Sequence, residues 1–279
     1  PEIFTASAIA LAVHEAGFIY ALAEKKQPKL EGDKLFNKFR KVPYAEGQLI
    51  DLIFPNIAED VRKKVEYVIR DGIYQGQTSQ KIVQRIKGTK KLNYSDSLLN
   101  QTRNAIDAEV RTARSHVSNI SYLDTWKALG FNYTKDVATL DGRTSLGCAA
   151  KDGRIQQIGE GHQKPPYHRR CRTIQVGCDK DGDLAGIRPF VSDKRAVKKI
   201  PKDQRESKIG QVDANLTYKE WFARQDESFQ KEWLGPSKYK LYSEGGFLID
   251  KFVDPLSGKA FTLKELRKND IKTLNDLSL

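Results

Sequence analysis

Three cysteines and two of the four histidines of this 279-residue chain fall within residues 141–178. Cys148 stands first, His168 and Cys171 follow as a His-x-x-Cys pair after nineteen intervening residues, and Cys178 closes the set. These are soft sulfur and nitrogen donors of the kind that hold zinc tetrahedrally. A zinc motif normally has two close pairs. Here the first half is a single cysteine, so His162 or Asp141 could complete a set without Cys178. Two other chemistries use the same residues. Reduced cysteines pack as small apolar side chains, with His168 bonded to backbone, and a Cys148–Cys171 disulfide would suit an oxidising compartment.

Catalysis would ask more of this segment. A Cys148 thiol with His168 as its base, or a zinc-bound water, could hydrolyse an ester or phosphodiester. Such a hydrolase needs a general base and an open metal position, and the sequence identifies neither. No P-loop, His-Glu-x-x-His, Gly-x-Ser-x-Gly or deaminase His-x-Glu signature occurs, so enzymatic activity is not expected. Asp141 and Arg143 read either as an acid and an anion binder or as a structural turn. The turn is the expectation, with Asp141 bonding nearby amides and Arg143 bridging loops.

The elements that must position these residues follow from periodicity. Apolar residues recur over 57–74 at Val61, Val65, Val68 and Ile69, a helical stripe. Thr78 or Ser79 caps a shorter helix with Ile82, Val83 and Ile86, which Gly88 ends. The longest helix is predicted over about residues 96–129, with Leu99, Ile106, Ala113 and Ile120 seven apart and Val110 and Val117 between them. That spacing predicts a core seam, with Arg103, Arg111 and Arg114 on or near the exposed side. Beyond Gly130 the pattern alternates. Strands are expected over 133–140, 154–158 and 173–176, and Asp141-Gly142 and Asp152-Gly153 each suit a reversal with positive φ. A metal would staple the loop between Gly159 and Pro166. Residues 179–215 read as an extended, mobile connector. Trp221, Phe222, Phe229, Trp233 and Leu234 have the helical spacing of core or docking residues, and the end beyond Leu266 is polar and expected to be loosely held.

Several words occur here in one order: Asp141-Gly142-Arg143-Thr144-Ser145, Cys148, Asp152-Gly153-Arg154, and Pro165-Pro166-x-His168-x-x-Cys171-Arg172. Together they resemble the head morphogenesis family of tailed bacteriophages, named for the Mu gene F product. The likeness extends to Arg111-Thr112-Ala113-Arg114, Tyr218-Lys219-Glu220-Trp221 with Gln225, Trp233-Leu234-Gly235-Pro236 and Phe261-Thr262-Leu263-Lys264-Glu265-Leu266. It covers roughly residues 60–268. The family often reads Cys-Arg-Cys after the histidine, whereas this chain has Cys171-Arg172-Thr173, so Cys178 would have to replace the second cysteine. The resemblance implies a minor head protein, present in few copies in the capsid interior near the portal vertex and in the host cytoplasm during assembly. Its implied partners are the portal protein, the major capsid or scaffolding protein, and the DNA with which it could leave.

Composition points the same way. Forty-eight Lys and Arg against thirty-six Asp and Glu leave a charge of +12, which favours a polyanion such as double-stranded DNA. Lys194, Arg195, Lys198, Lys199 and Lys202 form the expected phosphate-tracking stretch. A DNA-binding protein acting outside any particle, and a zinc- or thiol-dependent hydrolase of head maturation, are the alternative functions. The mean hydropathy of −0.60 belongs to a soluble chain, and no secretory signal pattern frames the apolar start. Residues 4–23 are long enough to span a bilayer. However, an ionised Glu15 near the middle costs about 2.5–3.5 kcal/mol on insertion scales, and the many alanines compensate little. A buried or oligomer-facing helix is therefore expected and a membrane partner is not. The expected class is α+β, mostly helical with a long central helix and a small β-rich Cys/His unit. Its expected parts are residues 1–47, apolar helix and basic linker; 48–178, the core carrying Asp141, Arg143, Asp152 and Pro166 as structural motif residues; 179–215, the connector; and 216–279, a helical docking region.

Overall fold

The computed structural model describes residues 2–45 and 47–279. The architecture is α+β, in two compact units: residues 1–122 with 168–171, and residues 123–167 with 172–279.

Five helices build the first unit: α1 (Glu2–Leu22), α2 (Gly32–Lys41), α3 (Ile53–Tyr74), α4 (Ser79–Lys87) and most of α5 (Leu98–Ala128). On α1, Ala8, Ala12 and Ala16 are buried at four-residue spacing, the face that small side chains let a neighbour approach closely. Ala8 and Ala12 join Phe39, Tyr44, Ala45 and Ile50 with Ala113, Val117 and Ile120 of α5 in one core. Ser121 donates to the Ala12 carbonyl at 2.8 Å, and the Tyr122 hydroxyl donates to Glu15 at 2.5 Å. By length and composition alone α1 could cross a membrane; its central carboxylate is instead engaged by Tyr122. The α5 seam runs as its spacing predicts at Ala113, Val117 and Ile120, while Ile106 is exposed and the Leu99 side chain lies outside the described residues. Thr78 caps α4 by accepting from the Lys81 amide, and Gly88 (φ 82°) ends it.

The second unit is the mixed part. Strands β1 (Tyr133–Val137) and β2 (Leu140–Asp141) precede α6 (Leu146–Lys151), then come β3 (Ile155–Gln157), β4 (Ile174–Cys178), β5 (Ile187–Val191), α7 (Arg205–Lys208) and β6 (Ile209–Asp213). Helices α8 (Tyr218–Ala223), α9 (Glu227–Leu234), α10 (Pro236–Ser243), α11 (Leu263–Asn269) and α12 (Ile271–Asp276) follow. One antiparallel sheet has the order β3-β1-β4, with Tyr133 opposite Cys178 and Val137 opposite Ile174. The other is β2-β5-β6, its β2–β5 pair parallel and its β5–β6 pair antiparallel. The core gathers Leu140, Tyr218, Trp221, Phe222, Phe229, Leu241, Phe252, Leu266 and Leu274, which places the expected aromatic cluster inside.

Three expectations are corrected. Residues 179–215 are not an extended connector: Arg188 and Ile200 are buried and β5 and β6 pair over five residues. Their alternation was hidden by Arg188 and Pro189 in β5 and by Gly210 and Gln211 in β6, which break the apolar pattern while the backbone pairs. The end beyond Leu266 is held, because Leu274 on α12 is fully buried. Gly153 has φ 83° as expected, but Gly142 does not have positive φ. Gly142 is needed for close approach instead: a Cβ there would sit 3.1 Å from the Asp193 carbonyl, to which its own N–H donates.

Candidate metal centre

The His-x-x-Cys pair is a tight turn. The Cys171 N–H donates to the His168 carbonyl at 3.1 Å, and Arg170 occupies the left-handed region at φ 60°. An arginine is unfavourable there, so the conformation needs support. Its amide donates to Thr112 Oγ1 at 2.8 Å and its guanidinium to the Asn104 carbonyl and Asp107. Arg169 pairs with the buried Glu109 at 2.9 Å. The residues on either side of the turn are pinned within the second unit. Tyr167 donates its hydroxyl to Asp136 at 2.8 Å, and Arg172 binds Asp141 at 2.6 and 2.7 Å.

Cys148 is the third residue of α6, its N–H donating to the capping Ser145 hydroxyl at 3.2 Å. One ligand atom each from Cys148, His168 and Cys171 lie within 4.8 Å of one another. Ions bound at about 2.3 Å to sulfur and about 2.0 Å to nitrogen hold their ligands about 3.5–4 Å apart, so the spacing fits. The donor set fits too. His168 Nδ1 lies 2.8 Å from the Arg169 carbonyl, which can only accept. Nδ1 therefore donates there, and Nε2 is the nitrogen that a metal would take, the arrangement that orients metal-ligating histidines. Both thiols are buried, and none of the three cysteines is in a disulfide. This group could hold a metal ion.

Cys178 is not part of the group. It ends β4, and a strand advancing about 3.3 Å per residue carries it away from Cys171. Burial first, then the Asp179 charge, pushes its thiol up. His162 bonds Thr134 Oγ1 at 2.9 Å; burial, with Lys164, Lys127 and Arg154, takes its imidazole down to about 4. Asp141 is likewise taken up. Burial pushes its carboxyl up, but the Arg172 and Arg143 hydrogen bonds and the Arg172 charge outweigh this and hold it below the ordinary carboxylate range. Arg143 grips the Asp141 carboxylate at 2.8 Å, which is the turn reading rather than the anion binder. Pro166 is buried beside Pro165, joined by a cis bond.

Asp152 does more than close a turn. Its carboxylate accepts from the Ala138 amide at 2.6 Å, the Tyr218 amide at 2.5 Å and Arg188 at 3.1 Å, all buried. A second buried carboxylate, Asp136, was not expected from the sequence. It accepts from Tyr167, from Arg154 at 2.9 Å and from Gln175 at 2.9 Å, and burial raises its carboxyl despite Arg154. A charged residue inside an otherwise pairing strand was the available signal.

The basic stretch is divided. Arg195 and Lys208 converge on Asp193 at 2.7 and 2.9 Å, and Lys194 reaches Glu232. Lys198, Lys199 and Lys202 are exposed. Comparison of the chain with family models, with curated proteins and with solved structures returned no match.

Proposed function

We propose that this chain is a minor head protein of a tailed bacteriophage, held in the capsid interior near the portal, where it aids head assembly and the packaging or delivery of DNA. One observation carries the reading beyond the sequence resemblance. The separate words of that resemblance are joined to one another inside the second unit. Tyr218 donates its hydroxyl to the Asp141 carbonyl at 2.9 Å and its amide to Asp152. Trp233 donates to the Thr144 carbonyl at 2.9 Å, and Arg172 closes on Asp141. Residues far apart in sequence have these types because they hold one another, which supports a scaffold whose motif is architectural. The charge of +12 supports nonspecific contact with double-stranded DNA.

The metal in this reading is zinc, for which two thiolates and an imidazole are suitable donors. Zinc bound by such a group would supply folding free energy. Cys148, His168 and Cys171 would hold it. Elemental analysis of the purified chain should find about one zinc per chain, and metal-free, fully folded protein would remove zinc from the reading. The head assignment is tested separately, by co-expressing the chain with the portal and capsid proteins of its own genome. Retention on the portal and a few copies per purified head are expected. Heads that assemble without the chain, together with no retention on portal, would overturn the assignment.

A further inference from the structure

Residues 79–95, SQKIVQRIKGTKKLNYS, contain five cations and no carboxylate. Arg85 is engaged by Asp71 at 2.7 Å. Lys81, Lys87, Lys90 and Lys91 are exposed and enter no ion pair among the described residues. The region expected to meet DNA is engaged in part: Asp193 and Glu232 hold Arg195 and Lys194, whereas Lys198, Lys199 and Lys202 enter no ion pair among the described residues but are followed in sequence by Asp203 and Glu206.

The loop after α4 is closed by its own hydrogen bonds. Asp96 accepts the Thr89 amide at 2.9 Å and the Thr89 hydroxyl at 3.1 Å. The Tyr94 amide donates to the Thr89 carbonyl at 2.9 Å, and the Ser95 amide to the Leu92 carbonyl at 3.0 Å. Asn93 and Tyr94 sit in succession at φ 48° and 58°, a region that L-residues other than asparagine and aspartate avoid. Such backbone persists only where the surroundings impose it, and it concentrates at binding sites. Here it coincides with an outward-facing tyrosine: Tyr94 is 49% exposed, set among lysines. The Thr89 donors hold the Asp96 carboxyl below its ordinary value, so it stays ionised and offsets one of the five cations, leaving the stretch with its acid positive.

We propose that α4 and the loop 88–95 form the face that tracks the phosphates of double-stranded DNA without reading sequence. Lys81, Lys87, Lys90 and Lys91 are its charge contacts, and the Tyr94 hydroxyl is a further phosphate donor. The helix rise of about 1.5 Å per residue sets Lys81 and Lys87 about 9 Å apart along the axis, a span over which duplex DNA presents several phosphates. The inference deepens the DNA contact of the proposed function. Its test reads DNA affinity alone, whereas the head assignment is read from incorporation.

The measurement is fluorescence anisotropy of a random-sequence duplex against salt, for the parent chain, K87Q/K90Q/K91Q and K198Q/K199Q/K202Q. Both triple variants remove three positive charges, so they differ in place and not in net charge. The slope of log affinity against log salt should become shallower by about 2.7 in the first variant and by less than about 1 in the second. The fall in affinity between about 50 and about 200 mM salt then shrinks about 40-fold for the first. Equal slopes for the two variants, or a larger effect from the second, would overturn the assignment of this face. A parent chain that does not bind duplex at about 50 mM salt would overturn the face and the DNA contact together, and would leave the head assignment to the incorporation experiment.

Discussion

Arg172 holds both carboxylate oxygens of Asp141, at 2.6 and 2.7 Å, across thirty-one residues of chain. The Asp141 side chain is only 1% exposed, so its charge depends on that grip and on Arg143. The same aspartate offers its carbonyl to Tyr218. Sheet, Arg172 and aromatic core therefore meet at one residue.

Asp141→Asn should destabilise the protein by about 2–3 kcal/mol at neutral pH, less than for a fully buried pair because Arg172 remains partly in water. Urea unfolding measures it. The carboxyl is held below its ordinary value, so its contribution is present above about pH 4 and is lost as pH falls through the depressed native value. The gap between parent and variant should accordingly narrow only in acid. Arg172→Lys should restore little, since an ammonium cannot repeat the two-pronged contact.

His162 has the opposite sign of charge and the same direction of dependence. Its imidazole is down at about 4 in the fold and near 6.5 in the unfolded chain. Between these values the unfolded state binds the extra proton, so stability is full above about pH 6.5 and declines as pH falls towards 4. A loss of about 1–3 kcal/mol over that window is expected, and His162→Gln should abolish that share of it. Unchanged pH dependence in the variant would assign the slope to other groups.

Much of this was legible in the chain. The α4 boundaries followed from Thr78 and Gly88, the long helix from the seven-residue spacing of Ile106, Ala113 and Ile120, and the first sheet from alternation after Gly130. The pairing of His168 with Cys171 follows from their separation, which a single turn spans. The parts not legible depend on contacts distant in sequence. Cys178 looked like a ligand because it is a cysteine near others, and only the run of β4 removes it. Nothing local marks Asp152 as the acceptor of Tyr218, sixty-six residues on. The unpaired state of Lys87, Lys90 and Lys91 could not be told from that of Lys194 until Glu232 was placed.

Asp152→Ala should be among the most damaging single changes, because it leaves the Ala138 and Tyr218 amides and the Arg188 guanidinium without their buried acceptor. About 3–5 kcal/mol is expected. Arg188→Met alone should also destabilise, by stranding the carboxylate. The double variant should lose less than the sum, with a coupling of at least about 1 kcal/mol by chemical denaturation. Additive effects would mean that the pair does not act as one unit.

The three cysteines should separate in a metal experiment. Cys148→Ser and Cys171→Ser remove a ligand each, so both should lose bound zinc and their melting temperatures should no longer respond to a chelator. Cys178→Ser should keep the parent's zinc content and chelator response, since that thiol ends β4 apart from the group. Its raised value also keeps it protonated and slow to alkylate at neutral pH. Metal binding requires thiolates, so zinc retention in the parent should fall as the solution is acidified. A Cys178→Ser protein that loses its zinc while staying folded would place the fourth ligand at β4 and contradict the three-residue centre.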